Sequence, residues 1–386
     1  MVLGGESSGR NYVSYLTEMK RLEILTPPPS ISSSLNPLGD SLQPILPFEI
    51  MEEILCRLPV KSLAQFCCVC KSWNSLISDR KFTKKHLYRS SMNPTRHRLI
   101  FSPSRFLHFV RTSFPHAFIS NHVTEDTVRL DHPLNNPYSD SIIVGSCDGI
   151  LCITINPHDI VLWNPSIQKS KKLPTLEEPS YIRDYFNHTV YGFGYDHVAD
   201  NYKVIAVSPY VCEAKIHTLG TDSWRRINNF PYFSSEESGK LVSSTLNWFS
   251  GVSLNIISFD LVKECCQELS PPDYGGKHVI VTLGVLRDCL CIFSYGFTFS
   301  EIWIMNEYGN KDSWTKLFSV PDSFDLCTRV LYFYEDDEVV LEYNSNLTIY
   351  NYRNGASRSP DTEYNTRILE WMVPQRYIES LVSPCP

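Results

Sequence analysis

A chain of 386 residues and 44.3 kDa exceeds one ordinary domain of about 100 to 200 residues, so two domains or one large repeat architecture is expected. Apolar residues at 42%, aromatic residues at 12% and charged residues at 20% exclude a wholly disordered chain. The formal net charge of −7 argues against binding nucleic acid through overall charge.

The first ten residues carry Gly, Ser and Glu where a secretory signal needs an apolar stretch, and no run approaches about 18 apolar residues. A cytoplasmic or nuclear location away from membranes is therefore expected. Two short sequons, at Asn187 and Asn346, are the contrary hint. Residues 1–44 are expected to be a disordered segment and linker, because Thr26-Pro27-Pro28-Pro29-Ser30 offers fixed φ angles and little to bury.

The texture then changes, with 19 of the 32 residues from Leu46 to Ile77 apolar. Ile50, Ile54, Leu55 and Leu58 fall at helical spacing before Pro59. Leu63, Phe66, Cys67 and Cys70 repeat the pattern, and Val69, Trp73, Leu76 and Ile77 continue it. The spacing predicts a compact array of short helices, broken at Asp79-Arg80-Lys81 before a last turn around Phe82 to Leu87. So small a unit cannot bury that many apolar side chains within itself, and a partner is expected to cover the remainder.

From about residue 95 the pattern becomes β-like. Ser141-Ile142-Ile143-Val144 and Ile150-Leu151-Cys152-Ile153 flank Gly145-Ser146-Cys147-Asp148-Gly149, a hairpin signal. Asp222-Ser223-Trp224 returns as Asp312-Ser313-Trp314 after 90 residues, two units of 45. Strand ends at Leu173, Ile227, Leu269 and Leu317 are separated by 54, 42 and 48 residues. Strands such as Leu162-Trp163-Asn164, Ile257-Ser258-Phe259 and Ile302-Trp303-Ile304 are expected to open the units. Residues 95–375 therefore suit a propeller of about six four-stranded blades, with a β-sandwich followed by another β domain as the alternative.

Several features could carry chemistry of their own. Cys67-Cys68-Val69-Cys70 contains half of a zinc motif without a second half. Gly192-Phe193-Gly194 starts like a dinucleotide loop but lacks the third glycine and a following helix. Glu335-Asp336-Asp337-Glu338 suits a charged hairpin turn better than a cation site, which needs convergent oxygens. The thirteen scattered cysteines are expected to be reduced core thiols. Nine Lys or Arg and no acid lie between Arg80 and Arg111, which fits an acidic protein partner, nucleic acid, or a solvated helix and the first blade's rim. No P-loop, nucleophile elbow or metalloprotease motif occurs.

The run from Leu46-Pro47-Phe48-Glu49-Ile50 through Arg57-Leu58-Pro59 to Cys70-Lys71-Ser72-Trp73 resembles the F-box. Two positions depart from the family: Gln65, usually basic, and Asp79-Arg80, which lacks a common proline. Gly145-Ser146-Cys147-Asp148-Gly149, Leu162-Trp163-Asn164-Pro165, Gly192-Phe193-Gly194-Tyr195-Asp196 and Asn201-Tyr202-Lys203-Val204 resemble the F-box-associated domain of plant F-box/kelch-type proteins. The kelch double glycine is present only at Gly275-Gly276, so that part of the name fits loosely.

The resemblance implies an α+β multidomain protein, a small all-α F-box at 46–87 followed by an all-β propeller. It implies a non-catalytic substrate receptor that binds a Skp-type adaptor, and through it a cullin ubiquitin ligase, and captures an unknown target protein without a cofactor or metal. Matched to the motif, the adaptor-binding or supporting positions are Leu46, Pro47, Ile50, Ile54, Leu55, Leu58, Pro59, Leu63, Val69, Cys70, Trp73 and Leu76. Trp73 and Leu58 are the expected central anchors if exposed. The alternative function is a propeller enzyme or small-molecule sensor, which convergent His, Asp and Glu on the propeller axis would favour.

Overall fold

Proline positions set the first helices. The structure, a computed structural model, describes residues 47–103, 109–113, 128–130, 133, 141–155, 159–176, 189–208, 212–233, 235, 237–274, 280–295, 299–321, 329–335, 338–343, 346–358 and 372–385. The expected disordered segment 1–44, Leu46, Asn187 and Gly275-Gly276 lie outside these residues. The chain divides into two units at Arg89–Ser90.

In the first unit, Pro47 and Pro59, both with extended backbone, precede α1 (Phe48–Cys56) and α2 (Val60–Phe66). There their fixed φ and missing N–H cost nothing. Helix α3 (Lys71–Ile77) begins after Cys70, whose Sγ accepts from Trp73 N at 3.5 Å. Helix α4 (Arg80–Ser91) is longer than expected. Asp79 does not break it but caps it, its carboxylate accepting from the N–H groups of Lys81 and Phe82 at 2.8 and 3.1 Å. Leu55, Cys56, Val60, Leu63, Phe66, Trp73, Ile77 and Phe82 form the buried interior.

The second unit consists of six four-stranded antiparallel sheets. The first blade contains β1 (His97–Pro103), β2 (Phe109–Ser113) and β3 (Val128–Leu130). The second contains β4 (Ser141–Cys147), β5 (Ile150–Ile155), β6 (Asp159–Asn164) and β7 (Lys169–Lys172), and the third β8 (Val190–Asp196), β9 (Asn201–Ser208), β10 (Glu213–Thr218) and β11 (Arg225–Ile227). The fourth contains β12 (Lys240–Val242), β13 (Thr245–Phe249), β14 (Ile256–Asp260) and β15 (Cys265–Leu269). The fifth contains β16 (Ile280–Leu286), β17 (Cys289–Tyr295), β18 (Phe299–Met305) and β19 (Trp314–Pro321). The sixth contains β20 (Arg329–Glu335), β21 (Glu338–Tyr343), β22 (Asn346–Asn351) and β23 (Ser357–Arg358).

The ring is closed by β24 (Met372–Ile378), which pairs with β1 over seven positions and becomes the innermost strand of the first blade. Inner strands then neighbour one another in the order β24, β4, β8, β12, β16, β20 and back to β24. Six blades agree with the count expected from the repeat length. Its phase differs: the strands carrying Trp163, Phe259 and Trp303 are third in their blades, not first. A period does not say which strand begins a repeat.

The repeated tryptophans and the motifs that resemble the F-box-associated domain hold the blades together. Trp224 Nε1 donates to Pro174 O at 2.8 Å and Trp314 Nε1 to Ser270 O at 3.0 Å, each binding its blade to the preceding one. A Cβ on Gly192 or Gly194 would stand within 3 Å of Leu246 and Trp248, or of Leu241 and Leu261, in the fourth blade. These glycines permit packing and form no dinucleotide loop. Lys203 is buried, and its ammonium reaches Asp196 (2.8 Å), Leu261 O (2.7 Å) and Glu264 (2.9 Å). A buried cation requires that full set of acceptors.

The expected hairpin turns at Asp148-Gly149, with φ of +53° and +82°, the pairing of left-handed residues that two-residue hairpins favour. Gly149 has a second duty: a Cβ there would meet Ile378 O and Ser380 Oγ at 2.4 Å. Glu335 and Glu338, at the ends of the antiparallel β20 and β21, pair with each other as a hairpin requires, and Asp336-Asp337 between them lie outside the described residues. The described cysteines are free thiols, but only Cys56, Cys152 and Cys291 are buried. Cys68, Cys212, Cys265 and Cys385 are exposed, which corrects their assignment to the core.

Candidate partner-binding surface

The helical unit leaves apolar side chains uncovered. Phe48 is 53% and Ile50 48% exposed, and Pro47, just before them, and Pro59, ahead of α2, are exposed as well. Ile54, Leu58, Val69, Cys70 and Leu76 are half-buried. Leu55 and Leu63 are fully buried, as supporting core.

Trp73 is not a surface anchor. It is 4% exposed, its ring lies 5.2 Å from Phe66, and its Nε1 donates to Met51 Sδ at 3.2 Å. An indole is the largest apolar body available to so small a helical core, and the unit uses it internally. The helical pattern of Ile50, Ile54, Leu55 and Leu58 leaves Phe48 out. It lies in the first turn of α1, seven positions before buried Leu55, and among the described residues no other helix of the unit covers it.

The connection carrying Leu58 and Pro59 is held from α4. His86, fully buried and stacked on Phe82 at 6.4 Å, donates from Nε2 to Leu58 O at 2.9 Å. Charge ties α1 to α4 as well. Lys85 Nζ lies 2.7 Å from Glu52, and Glu53 takes Arg89 at 2.5 Å and Arg57 at 2.9 Å.

These contacts account for part of the basic run. Lys85 and Arg89 are paired, Arg96 is buried and donates to Ser90 Oγ at 2.9 Å, and Arg98 pairs with Glu379 at 3.0 Å. Cys70 is likewise engaged, with Ser72 Oγ 2.9 Å from its sulfur. Among the described residues, no group of three or more His, Cys, Asp or Glu could hold a metal ion.

Hydrogen bonds from Arg89 and Arg57 hold the Glu53 carboxyl down at about 2, against an ordinary 4.5. The unfolded chain takes up this proton near 4.5 and the folded one only near 2. The contribution to stability is therefore complete above about 4.5 and is lost as pH falls toward 2. Glu53→Gln is expected to flatten the acid-side decline of helix melting in that window, as followed by far-ultraviolet circular dichroism.

Comparison with known proteins agrees with this geometry. Residues 44–85 match the F-box domain, and residues 105–384 match the F-box associated beta propeller domain. The F-box/kelch-repeat protein At3g23880 of Arabidopsis thaliana is 34% identical over 360 residues, 88% of this chain and 96% of that protein. This chain belongs to the F-box proteins with an F-box-associated propeller. Other relatives include the Arabidopsis F-box protein CPR1, 26% identical over 79% of this chain and 81% of its own length. The Arabidopsis F-box protein At3g07870 is 29% identical over 79% and 84%. The F-box thus corresponds to the helical unit with the uncovered apolar surface, and the F-box-associated domain to the ring.

Proposed function

We propose that this F-box protein is the target-recognition subunit of a cullin-based ubiquitin ligase, its F-box binding a Skp-type adaptor and its propeller holding the protein to be ubiquitinated. The observation that carries this reading is the apolar surface of the F-box, centred on Phe48 and Ile50, on a unit separate from the propeller. A helical module of this size with large apolar side chains in water suits permanent cover by a partner. The receptor makes and breaks no bonds. It raises the effective concentration of a target lysine near a ubiquitin-charged enzyme brought by other subunits. It acts in the cytoplasm, the nucleus or both.

The rival reading, a propeller enzyme or sensor, calls for convergent His, Asp and Glu on the inner strands. Among the described residues those strands hold Asp196, already engaged by Lys203, and Glu335, and no histidine.

Deleting residues 46–87 is expected to abolish ubiquitination of a captured target while capture itself stays measurable. Target binding and target half-life, measured side by side, check this. Loss of capture in a still-folded propeller would mean that the F-box contributes to the target site and would end the modular reading.

A further inference from the structure

The cations on the outer strands of the second and third blades divide by the face they present. In β6 and β7, Leu162 opposes Lys171 and Asn164 opposes Lys169. Leu162 packs with Tyr191, Phe193 and Tyr202 of the third blade, so Lys169 and Lys171 face that blade. In β9, β10 and β11, Ala206 opposes Lys215, Val204 opposes His217, and Lys215 opposes Arg226. Val204 and Ala206 pack toward the second blade, so Lys215, His217 and Arg226 face back toward Lys169 and Lys171. Half-buried Trp224 lies beside them, its ring 5.3 Å from His217 and its Nε1 fixed on Pro174 O.

The opposite faces of the same strands are neutralised. Lys172 pairs with Asp159 at 2.9 Å, and Arg225 pairs with Glu264. In the groove, Lys215 lies 3.8 Å from Glu213, whereas Lys169, Lys171 and Arg226 have no carboxylate partner among the described residues. Among the described residues Asp222, in the adjoining turn, also acts on His217. Lysines on outer strands do discourage edge-to-edge pairing, but that role does not distinguish the two faces of a strand. Among the described residues Lys169, Lys171 and Arg226 therefore offer, within a chain of net −7, a local attraction for negative charge.

We propose that the outer groove between the second and third blades binds an acidic segment of the captured protein, a refinement that rests on the receptor reading above. The cations come from strands of four, six and three residues, a length that matches a short extended peptide. The negative field of the whole chain disfavours a long polyanion such as nucleic acid.

The test uses the full chain and a fluorescein-labelled octaglutamate peptide, read by fluorescence anisotropy at low and physiological salt. Saturable binding that weakens with salt is expected. Lys171→Gln with Arg226→Gln should weaken it by about tenfold or more, since two charge contacts are removed. Lys172→Gln with Arg225→Gln, on the same strands but the other faces, should leave it within about twofold. No saturable binding, equal losses in both pairs, or tighter binding of a single-stranded DNA octamer than of the peptide would each overturn the groove assignment. Ubiquitination of the captured target separates this from the receptor reading. Undiminished capture and ubiquitination by the groove variant would remove the groove and leave the receptor. Peptide binding without any adaptor-dependent ubiquitination would remove the receptor and leave the groove.

Discussion

Phe48→Ala combined with Ile50→Ala is expected to weaken binding to a Skp-type adaptor at least a hundredfold while the F-box stays folded. Both side chains are about half exposed in the free chain, so truncating them removes little internal packing. Each large apolar anchor at the centre of an interface commonly costs about 2 kcal/mol or more when cut to alanine, and about 3 to 4 kcal/mol together corresponds to a few hundredfold. Two other variants locate the effect. Leu58→Ala with Pro59→Ala should also weaken binding, but Leu58 is half-buried in the connection held by His86, so its loss mixes affinity with stability. Trp73→Ala should lose binding through unfolding, because removing a buried indole costs about 3 to 5 kcal/mol. Calorimetric titration with the adaptor, alongside circular dichroism of each variant, separates the three. Adaptor affinity within about threefold of wild type for the Phe48 and Ile50 variant would remove this surface from the interface.

Those variants turn on what was legible in the sequence. The F-box helices were legible because spacing at 3.6 residues and two prolines mark short helices whatever surrounds them. Which apolar residues stay uncovered was not, since Phe48 and Trp73 differ only in what lies over them in space. The blade count was legible because Trp224 and Trp314 repeat one structural task, donating to the blade before. The phase of the repeat was not, and neither was the first blade, whose innermost strand lies more than 250 residues away in sequence. Charge behaved similarly. The run from Arg80 to Arg111 reads as an unbalanced patch until Glu52, Glu53 and Glu379 are found against it. The unpaired cations of the second and third blades emerge only from the register that sorts their faces.

Ending the chain after Arg358 is expected to destroy the propeller's cooperative unfolding. It removes β24, which leaves β1 with an unpaired edge and the inner ring without its member between β20 and β4. The residues after β24 extend this closure into the second blade. Asn164, fully buried, donates from its side-chain amide to Ser380 O (3.1 Å), Ser380 Oγ (3.1 Å) and Val382 O (2.8 Å). Ser380 Oγ in turn donates to Asp148 O at 2.6 Å, under the turn that only a glycine at 149 leaves open. Asn164→Ala leaves these acceptors without their donor and should cost about 1 to 3 kcal/mol. A chain ending at Ile378 should lose a similar amount, since it removes the acceptors. The decisive measurement combines the two. Asn164→Ala in the chain ending at Ile378 should cost little more, because its partners are already gone, so the falls in thermal midpoint overlap instead of adding. Additive falls would mean that Asn164 and the tail act independently, and a soluble, protease-resistant ring in the chain ending at Arg358 would mean that β24 does not close it.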